Sequence, residues 1–527
     1  MQRSPSLVIQ DCEEDHADLI RAADFETAIS YSKCGKFQKI LLVVCGIIYA
    51  TCAISTTTLS FVLPSAECDF NLSSSDKGRL SASPLVGMVF GCAVWGTIAD
   101  SRGRRIAIIL SLLVDFLAAI VSSLAGSFNL FLICRFCNGF GIIGATNIVF
   151  SYLGEFLSVK QRDVMLGRLE IFWNVGVIII PGVAWCLLNE SVLKTFSDHL
   201  HFSPWRIFVA ICGIPSLMSL ILLMFLPETP KYLISKGKND EALHVFQQMY
   251  SRNTGQPNCF YPVLSLVGEF ENNNENKSIK NGYQGRTILE KAKNVLNSLK
   301  VLFSQPYLKY MAITGFADFG LMTSYFTLIM WFPDIFARFY DYEIQHPNLT
   351  ASIWEVFQNN ESRNDIWHTY VTCNPSIDIR VFLDTLMIGL SCIPTSVTLS
   401  FFMRKVGKRY VLVVCLILSG VATVSLNWVR STVQILVVSC IFEAFTSILE
   451  AVLFCVVIEL FPTNMRAIAL AITTTSGRLG AIFGNIIFGI LLDVNCLIPI
   501  YLFGSLLIAS GLLCLTLPRP NNYIVIH

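Results

Sequence analysis

The sequence predicts an all-α membrane protein whose twelve spanning helices form two similar six-helix bundles. Three observations support this fold class: an apolar composition, twelve apolar segments of spanning length, and charged motifs that recur at one fixed offset. Of the 527 residues, 54% are hydrophobic and only 14% are charged, with a mean hydropathy of +0.59. A soluble protein cannot bury so much apolar surface, and about twice this charged share is usual in soluble domains.

A membrane-spanning helix needs about 20 mostly apolar residues. Twelve segments of the sequence meet this requirement. They are 38–64, 80–99, 106–126, 128–152, 169–188, 206–227, 308–332, 380–403, 409–429, 432–459, 465–492 and 496–517. The acidic N-terminal residues and the lack of an early apolar core give no indication of a cleaved signal peptide.

These segments divide the chain into regions with distinct surroundings. We expect an N-terminal tail over 1–37, a six-helix bundle over 38–227, a central linker over 228–307, a second bundle over 308–518 and a C-terminal tail over 519–527. The excess of lysine and arginine in alternate loops predicts that both tails and the linker are cytoplasmic. A polar loop over 333–379 then lies outside the cell or in an organelle lumen.

The predicted outer side carries candidate modification sites. Four Asn-X-Ser/Thr sequons fall there, at Asn71, Asn189, Asn348 and Asn360. The last two share the long polar loop and are the favoured glycosylation acceptors. Cys68 and Cys373 also lie on this side, where they either form a disulfide or stay free.

Charged motifs recur in the two halves. Three residues of the first half have counterparts in the second: Gly103 and Gly407, Glu155 and Glu459, Arg162 and Arg466. All three pairs share an offset of 304 residues (407 − 103, 459 − 155 and 466 − 162). One shared offset predicts an internal duplication, and two parallel halves around a central axis are typical of one large class of transporters.

The motifs themselves resemble those of the major facilitator superfamily. They are Gly96…Asp100…Gly103-Arg104-Arg105, Arg135-x-x-x-Gly139-x-Gly141-x-x-Gly144, Pro227-Glu-Thr-Pro-Lys-Tyr-Leu233 and Glu459-Leu-Phe-Pro-Thr-x-x-Arg466. The last two are similar to sugar-porter and organic-ion-porter motifs. Four further segments resemble the synaptic vesicle glycoprotein 2 family: Phe61-Val-Leu-Pro-Ser-Ala-Glu67, Ser151-Tyr-Leu-Gly-Glu-Phe-Leu157, Phe172-Trp173 and Trp331-Phe-Pro-Asp334.

The repeated carboxylates and arginines at the cytoplasmic edge suggest a gate. We expect the gate to contain Asp100, Gly103, Arg104, Arg105, Glu155, Arg162, Glu459 and Arg466. Their ion pairs would hold the halves together while the cavity opens outward, and would break in the inward-facing state. The alternative is that these charges only set the topology of the loops.

Ionisable residues inside spans are costly and are candidates for function. Asp318, Glu443, Glu450 and Arg478 are expected to face a central cavity, the alternative being fixed ion pairs among them. Trp173, Tyr325 and Trp331 are candidate solute contacts, although packing or interfacial positions are the alternative for each aromatic residue. Arg135 is assigned a structural or coupling role, and Glu170 is expected at the membrane interface.

Two differences between this sequence and the families that it resembles help to predict the solute. The first span has hydroxyl residues, Ser55 to Thr58, where the relatives carry carboxylates, so proton coupling would have to use Glu443 or Glu450. Arg478 can neutralise a carboxylate or phosphate group in a low-dielectric cavity. We therefore expect a small organic anion or a zwitterion rather than a plain hexose.

The leading functional hypothesis is a secondary transporter working by alternating access, in the plasma membrane or in a secretory or synaptic-type vesicle. The alternative is a transporter-shaped membrane glycoprotein that acts in binding or trafficking. The sequence has no nucleotide-binding, metal or nucleophile motif, so we predict neither an enzyme nor a bound cofactor. The expected partners are a small solute, a possible coupling ion and lipid; the balanced charge argues against nucleic acid, and a monomer is favoured.

Overall fold

The computed structural model describes residues 20–188, 203–266, 300–305, 307–346, 352–357, 377–462, 465–495 and 497–518. Within these ranges the chain is almost entirely helical, and its only β-type pairings are two isolated bridges between residues 20–23 and the linker. Twelve of its helices are long and apolar enough to cross a membrane. The predicted fold class is therefore confirmed.

We label the twelve long helices α1 to α12. Their bounds are α1 Lys36–Ser65, α2 Ser74–Arg102, α3 Arg104–Ser123, α4 Phe128–Gly154, α5 Val159–Leu188, α6 Pro204–Met224, α7 Tyr307–Gln345, α8 Ile379–Val406, α9 Lys408–Ser425, α10 Thr432–Leu460, α11 Arg466–Asn495 and α12 Leu497–Cys514. Two ends differ clearly from the prediction. Helix α5 begins at Val159 rather than at 169, and α7 continues to Gln345, so the polar segment after it does not begin at 333.

Polar residues and glycines set the helix starts. Ser73 caps α2 by accepting from the backbone N–H of Asp76, whose carboxylate in turn accepts from Ser73. Helices α3 and α9 each follow a glycine with positive φ, Gly103 at 109° and Gly407 at 97°. Only glycine adopts this backbone conformation at low cost, so the chain can turn sharply between two antiparallel spans.

Small residues let helices of the first half approach closely. A Cβ atom added at Gly139 of α4 would lie 1.9 Å from the backbone oxygen of Pro84 in α2. One added at Gly87 of α2 would lie 2.1 Å from the backbone oxygen of Phe136 in α4. The glycine motif after Arg135 therefore serves helix packing, as is common in membrane bundles.

Apolar side chains cover the outside of the bundle. Phe90, Leu117 and Val397 are 62%, 51% and 65% exposed, and many other large apolar residues of the spans are similarly exposed. Soluble monomers rarely present such continuous apolar surface. The exposed face is the one expected to contact lipid acyl chains.

The N-terminal segment and the linker form a small layer under the first half. The helix Phe25–Tyr31 lies beside the linker helix Asn239–Thr254. Asn253 joins them: its side-chain oxygen accepts from the backbone N–H of Phe37 at 2.9 Å, and its amide nitrogen donates to Lys33 O at 2.8 Å. We call this end of the bundle the linker end and the opposite end the outer end.

The two halves contact each other mainly where α2 packs on α11, α5 on α8 and α1 on α7. At the outer end a Cβ atom added at Gly78 would lie 2.7 Å from the backbone oxygen of Asn485 and 3.0 Å from the Cα of Gly489. The Phe61 and Phe382 rings stack there with centroids 5.8 Å apart. Among the described residues, every hydrogen bond, ion pair and ring contact between halves lies at the outer end or in the middle of the bundle.

Candidate functional site

A cluster of charged side chains lies in the middle of the bundle, between the halves. The second half contributes Asp318 from α7, Glu443 and Glu450 from α10, and Arg478 from α11. Glu450 is within electrostatic range of Asp318, Arg478 and, across the gap, Glu170 of α5. Asp318, Glu450 and Arg478 thus lie together and Glu170 joins them, whereas Glu443 lies two helical turns from Glu450, beside Tyr325.

Asp318 is buried without a hydrogen-bond donor. Its residue is 1% exposed, and neither carboxylate oxygen has a partner among the described residues. The carboxylate lies against the backbone of α11, where a Cβ atom added at Gly477 would be 2.3 Å from Oδ2. Arg478 is the nearby cation, and its guanidinium also lies over the Phe326 ring at 5.3 Å.

Glu450, Arg478 and Glu170 are different, because each is half-buried rather than enclosed. They lie deep between the helices, yet part of each side chain remains reachable by solvent. Water-accessible charges at mid-membrane depth are typical of a solute pathway. The contacts between halves that join described residues lie in the outer and middle parts, and we infer that this pathway opens towards the linker end.

Aromatic side chains border the same gap. The Tyr49 hydroxyl donates to Glu170 Oε2 at 3.2 Å, and the rings of Tyr49 and Trp173 lie 5.3 Å apart. Tyr325 of α7 faces Trp173 from the other half and also neighbours Glu443. These contacts place two of the three predicted aromatic candidates beside the charged cluster.

Trp331 does not join them. It is fully buried and packs against Phe488 of α11 with ring centroids 4.9 Å apart. Its indole N–H has no partner among the described residues. The prediction that Trp331 faces the cavity is not supported by this position, because its ring fills the space between α7 and α11.

A buried ion-pair network joins the halves at the outer end, which we call the outer latch. Lys77 of α2 donates to Asp334 Oδ1 of α7 at 2.6 Å and to Glu67 Oε2 at 2.8 Å. Asp334 Oδ2 accepts from Arg338 at 2.9 Å. The Lys77 side chain is fully buried, and that of Asp334 is 3% exposed. Charges so deeply buried are stable only while they stay paired.

The first half holds its own buried carboxylate in a hydrogen-bond network that satisfies both carboxylate oxygens. Asp115 of α3 accepts from Ser55 at 2.8 Å and also from Asn138 and Ser216. Arg135 of α4 lies within electrostatic range of Asp115 and donates to Ser122. Four helices, α1, α3, α4 and α6, are tied together by this network.

The charged residues of the linker end pair within each half. Arg104 lies 3.3 Å from both Asp100 and Glu155. At the equivalent positions of the second half, Lys408 pairs with Glu459. The proposed gate contacts between halves are not among the described contacts of this conformation, so that role stays a prediction for the outward-facing state.

The arginines of these motifs mostly bind helix ends. Arg105 donates to the last carbonyl oxygens of α6, and its counterpart Arg409 donates to those of α12. Arg162 donates to the carbonyl oxygens of Gly154 and Leu157 after α4, while Arg466 is half-buried and its Nε has no partner among the described residues. The offset seen in the sequence therefore reappears as equivalent contacts for Arg105 and Arg409, but not for Arg162 and Arg466.

Comparison with known proteins decides the family. A family model described as "Sugar (and other) transporter" matches residues 32–335, and one described as "Major Facilitator Superfamily" matches residues 382–525. The chain belongs to the major facilitator superfamily. Its sugar-transporter match alone spans more than half of the sequence.

Relatives within the superfamily include the synaptic vesicle glycoproteins 2. Human synaptic vesicle glycoprotein 2B is 27% identical over 97% of this chain and 87% of its own length. Mouse synaptic vesicle glycoprotein 2C is 25% identical over 96% of this chain and 81% of its own length. The predicted resemblance to this group is confirmed.

Solved structures of the superfamily share the fold. An inward-open, partially occluded structure of the E. coli xylose transporter has a TM-score of 0.64 at 15% identity and covers 92% of this chain and all of its own. A nucleoside transporter has a TM-score of 0.59 at 12% identity, over 90% of this chain and 99% of its own. One superfamily fold thus serves unrelated solutes, and the solute has to be argued from the site.

Several predicted features of this superfamily member lie at the edge of the structure or beyond it. Asn71 is exposed and ends the short helix Glu67–Phe70 in a left-handed conformation. Asn189, Asn348 and Asn360 lie outside the described residues. Cys68 is disulfide-bonded, and Cys373 lies outside the described residues.

Four residues of the central cluster and the outer latch were missed by sequence reasoning. The sequence predicts Glu170 at the membrane interface, because its apolar run begins at 169; the earlier start of α5 moves this residue towards the middle of the bundle. Nothing in the sequence around Tyr49 distinguishes it from the other residues of an apolar span. The sequence places Lys77 and Asp334 in loops, although a lysine and an aspartate beside apolar spans are a signal for an ion pair.

Proposed function

We propose that this protein is a secondary transporter that moves a small organic solute by alternating access. The observation that carries the proposal is the arrangement of its charges between two pseudo-symmetric halves. A buried latch joins the halves at the outer end, while half-buried charges line a gap towards the linker end. Breaking the latch and closing the linker end would expose the same charges to the other side.

We further propose a zwitterion as the solute. Arg478 alone would suit an organic anion, but Glu170, Asp318 and Glu450 surround the same region. Three carboxylates against one guanidinium repel an anion that brings no positive charge. The rings of Tyr49 and Trp173 beside Glu170 add faces that favour an ammonium group.

A zwitterion would divide its charges between the halves. Its carboxylate would pair with Arg478 on α11, and its ammonium group would lie near Glu170 and the aromatic rings on α1 and α5. A solute that contacts both halves can favour closure of the linker end over it, because the contacts are complete only when the halves approach. This is the differential binding that alternating access requires.

The alternative, a vesicle glycoprotein that acts in binding or trafficking, also has support. The relatives are named as synaptic vesicle glycoproteins and align with nearly the whole chain. Helix α1 offers Ser55, Thr56, Thr57 and Thr58 but no carboxylate at this level. The same relatives favour a vesicle membrane over the plasma membrane as the location of this protein.

Uptake into proteoliposomes tests the proposal. A panel of radiolabelled zwitterions, organic cations and organic anions is offered at two pH values to liposomes that contain the purified chain. Saturable uptake of a zwitterion should fall by about 10- to 100-fold in Arg478→Ala and in Glu170→Gln, because each removes one charge-assisted contact with the solute. Glu241→Gln, an exposed change in the linker helix, should leave uptake unchanged.

Uptake restricted to anions would contradict the zwitterion. Saturable uptake that is unchanged in both Arg478→Ala and Glu170→Gln would show that the charged cluster is not part of the solute pathway. The absence of flux for every solute in the panel, together with binding of a protein partner through the polar segment between α7 and α8, would favour the glycoprotein alternative. Current without saturation would indicate a channel.

A further inference from the structure

A second, smaller cavity lies between the halves, just beneath their contact at the outer end. Residues of α1, α5, α7, α8 and α10 line it, so both halves contribute. Most of the lining is apolar, including Phe61 and Phe332. Its polar side chains are Thr57 and Ser60 of α1, Thr385 of α8 and Glu443 of α10.

The hydroxyl groups of this cavity have already used their protons. Thr57 Oγ1 donates to Ala53 O, and Ser60 Oγ donates to Thr57 O, both at 2.8 Å. Thr385 Oγ1 donates to Val381 O at 2.8 Å. A hydroxyl group has one proton and two acceptor lone pairs. The three side chains can therefore offer only oxygen lone pairs to the cavity.

Glu443 adds a carboxylate that lacks a full set of partners. The residue is 1% exposed, and its Oε2 has no hydrogen-bond donor among the described residues. The hydroxyl of Tyr325 is the polar group beside it. The guanidinium of Arg478 lies with Asp318 and Glu450 instead. A buried, unpaired carboxylate is unfavourable unless a positive charge or a proton accompanies it.

We propose that this cavity binds one sodium ion. Hard cations take oxygen ligands, and the residues that line the cavity carry one carboxylate and three hydroxyl oxygens, with no competing donor from those hydroxyls. One carboxylate neutralises one positive charge, so a monovalent ion fits the local charge better than a divalent ion. The space is of the size of a single small occupant rather than of an organic solute.

The position of this site gives the ion a role in the conformational cycle. Thr57 and Ser60 belong to the first half, and Thr385 and Glu443 belong to the second. An ion held by both sets of oxygens stabilises the state in which the outer end is closed. When the outer latch opens and the halves separate there, the ligand set divides, and the ion loses part of its coordination. Sodium binding is thus expected to favour the conformation described here.

Thermal unfolding of the purified full-length protein in detergent tests the site without any transport assay. The probe is sodium chloride titrated against choline chloride at constant ionic strength. Because an ion that binds only the folded state raises its stability, the Tm should increase saturably with sodium. Glu443→Gln should abolish the increase, and Thr57→Val should raise the half-saturating sodium concentration about tenfold or more.

Thr58→Val is the matched control. Thr58 follows Thr57 in α1, is equally buried and donates to Ile54 O, but it does not line the cavity. This variant should respond to sodium as the unmodified protein does. An equal sodium response in all variants, or none in the unmodified protein, would overturn the proposal. No sodium response combined with a pH response lost only in Glu443→Gln would assign a proton to the site instead.

The test of the sodium site and the test of the proposed transport function can succeed or fail independently. Sodium binding without uptake of any solute would support the site and count against transport. Zwitterion uptake that is independent of sodium, with no change in Tm, would support transport and exclude the ion site.

Discussion

The two halves each bury a carboxylate, but they treat it in opposite ways. Asp115 of the first half accepts hydrogen bonds from Ser55, Asn138 and Ser216. Asp318 of the second half is just as buried, and both of its oxygens lack a donor among the described residues. A satisfied carboxylate stabilises its surroundings, whereas an unsatisfied one stays available for a cation, a proton or a solute.

The comparison extends to the rest of each half. Close glycine contacts occur in both halves, but the satisfied Asp115 network and the docked linker layer belong to the first half and are features of a rigid scaffold. The second half holds Asp318, Glu443, Glu450 and Arg478. We therefore assign different tasks to the two similar halves: the first serves as a frame, and the second carries most of the charges that we assign to the solute and to the ion.

Replacement of the two carboxylates should give the largest difference. Asp115→Ala leaves three buried donors without an acceptor, so we expect a loss of about 3 kcal/mol or more in the free energy of unfolding. Asp318→Asn removes a carboxylate charge that accepts no hydrogen bond, so we expect the free energy of unfolding to change by no more than about 1 kcal/mol, in either direction. Thermal unfolding in detergent measures both variants.

Asp115→Asn serves as a second variant in case the alanine protein does not fold. It keeps the shape but presents a donor to Asn138, and its stability should lie between those of Asp115→Ala and the unmodified protein. Equal losses for Asp115→Asn and Asp318→Asn would contradict the contrast between the halves.

The glycines before α3 and α9 occupy equivalent positions in the two halves, and we expect their replacement to change stability less than replacement of Asp115. Gly103 and Gly407 both have positive φ, so an alanine at either position costs about 1–3 kcal/mol in backbone strain. An added Cβ atom at Gly103 would also lie 2.2 Å from the carboxylate of Glu228, whereas at Gly407 the nearest atom is 3.9 Å away. Gly103→Ala should therefore lower the Tm more than Gly407→Ala; the reverse order would count against the described turn.

The linker-end ion pairs should show the smallest difference. The side chains of Arg104 and Glu155 are 21% and 13% exposed, while those of Lys408 and Glu459 are 37% and 36% exposed. Glu459→Gln should cost a few tenths of a kcal/mol, as for most surface pairs. Glu155→Gln should cost about 1 kcal/mol, because its pair is less screened. Urea titration at low and high salt would distinguish them, and a larger salt dependence for Glu155 would contradict this assignment.

The sequence contains enough information for the spans and the two halves. Apolar runs of spanning length identify the helices, and the offset of 304 residues between Gly103 and Gly407 reappears as two equivalent turns. The motif arginines could also be placed at the linker end, since positive loop charge follows a known rule. These features depend on local composition, which a single sequence records directly.

Contacts between distant helices could not be predicted in the same way. Lys77 and Asp334 are 257 positions apart, and nothing in either segment specifies the other. Trp331 and Tyr325 lie on the same helix, yet one fills an interface and the other borders the gap, because the direction each side chain faces depends on how α7 packs. The presence of mid-membrane charges was predictable, but their grouping required the structure.

The central claim is that the contact between halves at the outer end opens and closes during transport. Phe61→Cys combined with Phe382→Cys places one thiol on each of the two helices whose rings now stack 5.8 Å apart. A bifunctional methanethiosulfonate reagent, whose spacer makes up for the shorter cysteine side chains, should join the halves and stop solute uptake, reduction should restore uptake, and each single variant should be insensitive to the reagent. Full cross-linking with undiminished uptake would contradict alternating access through this contact.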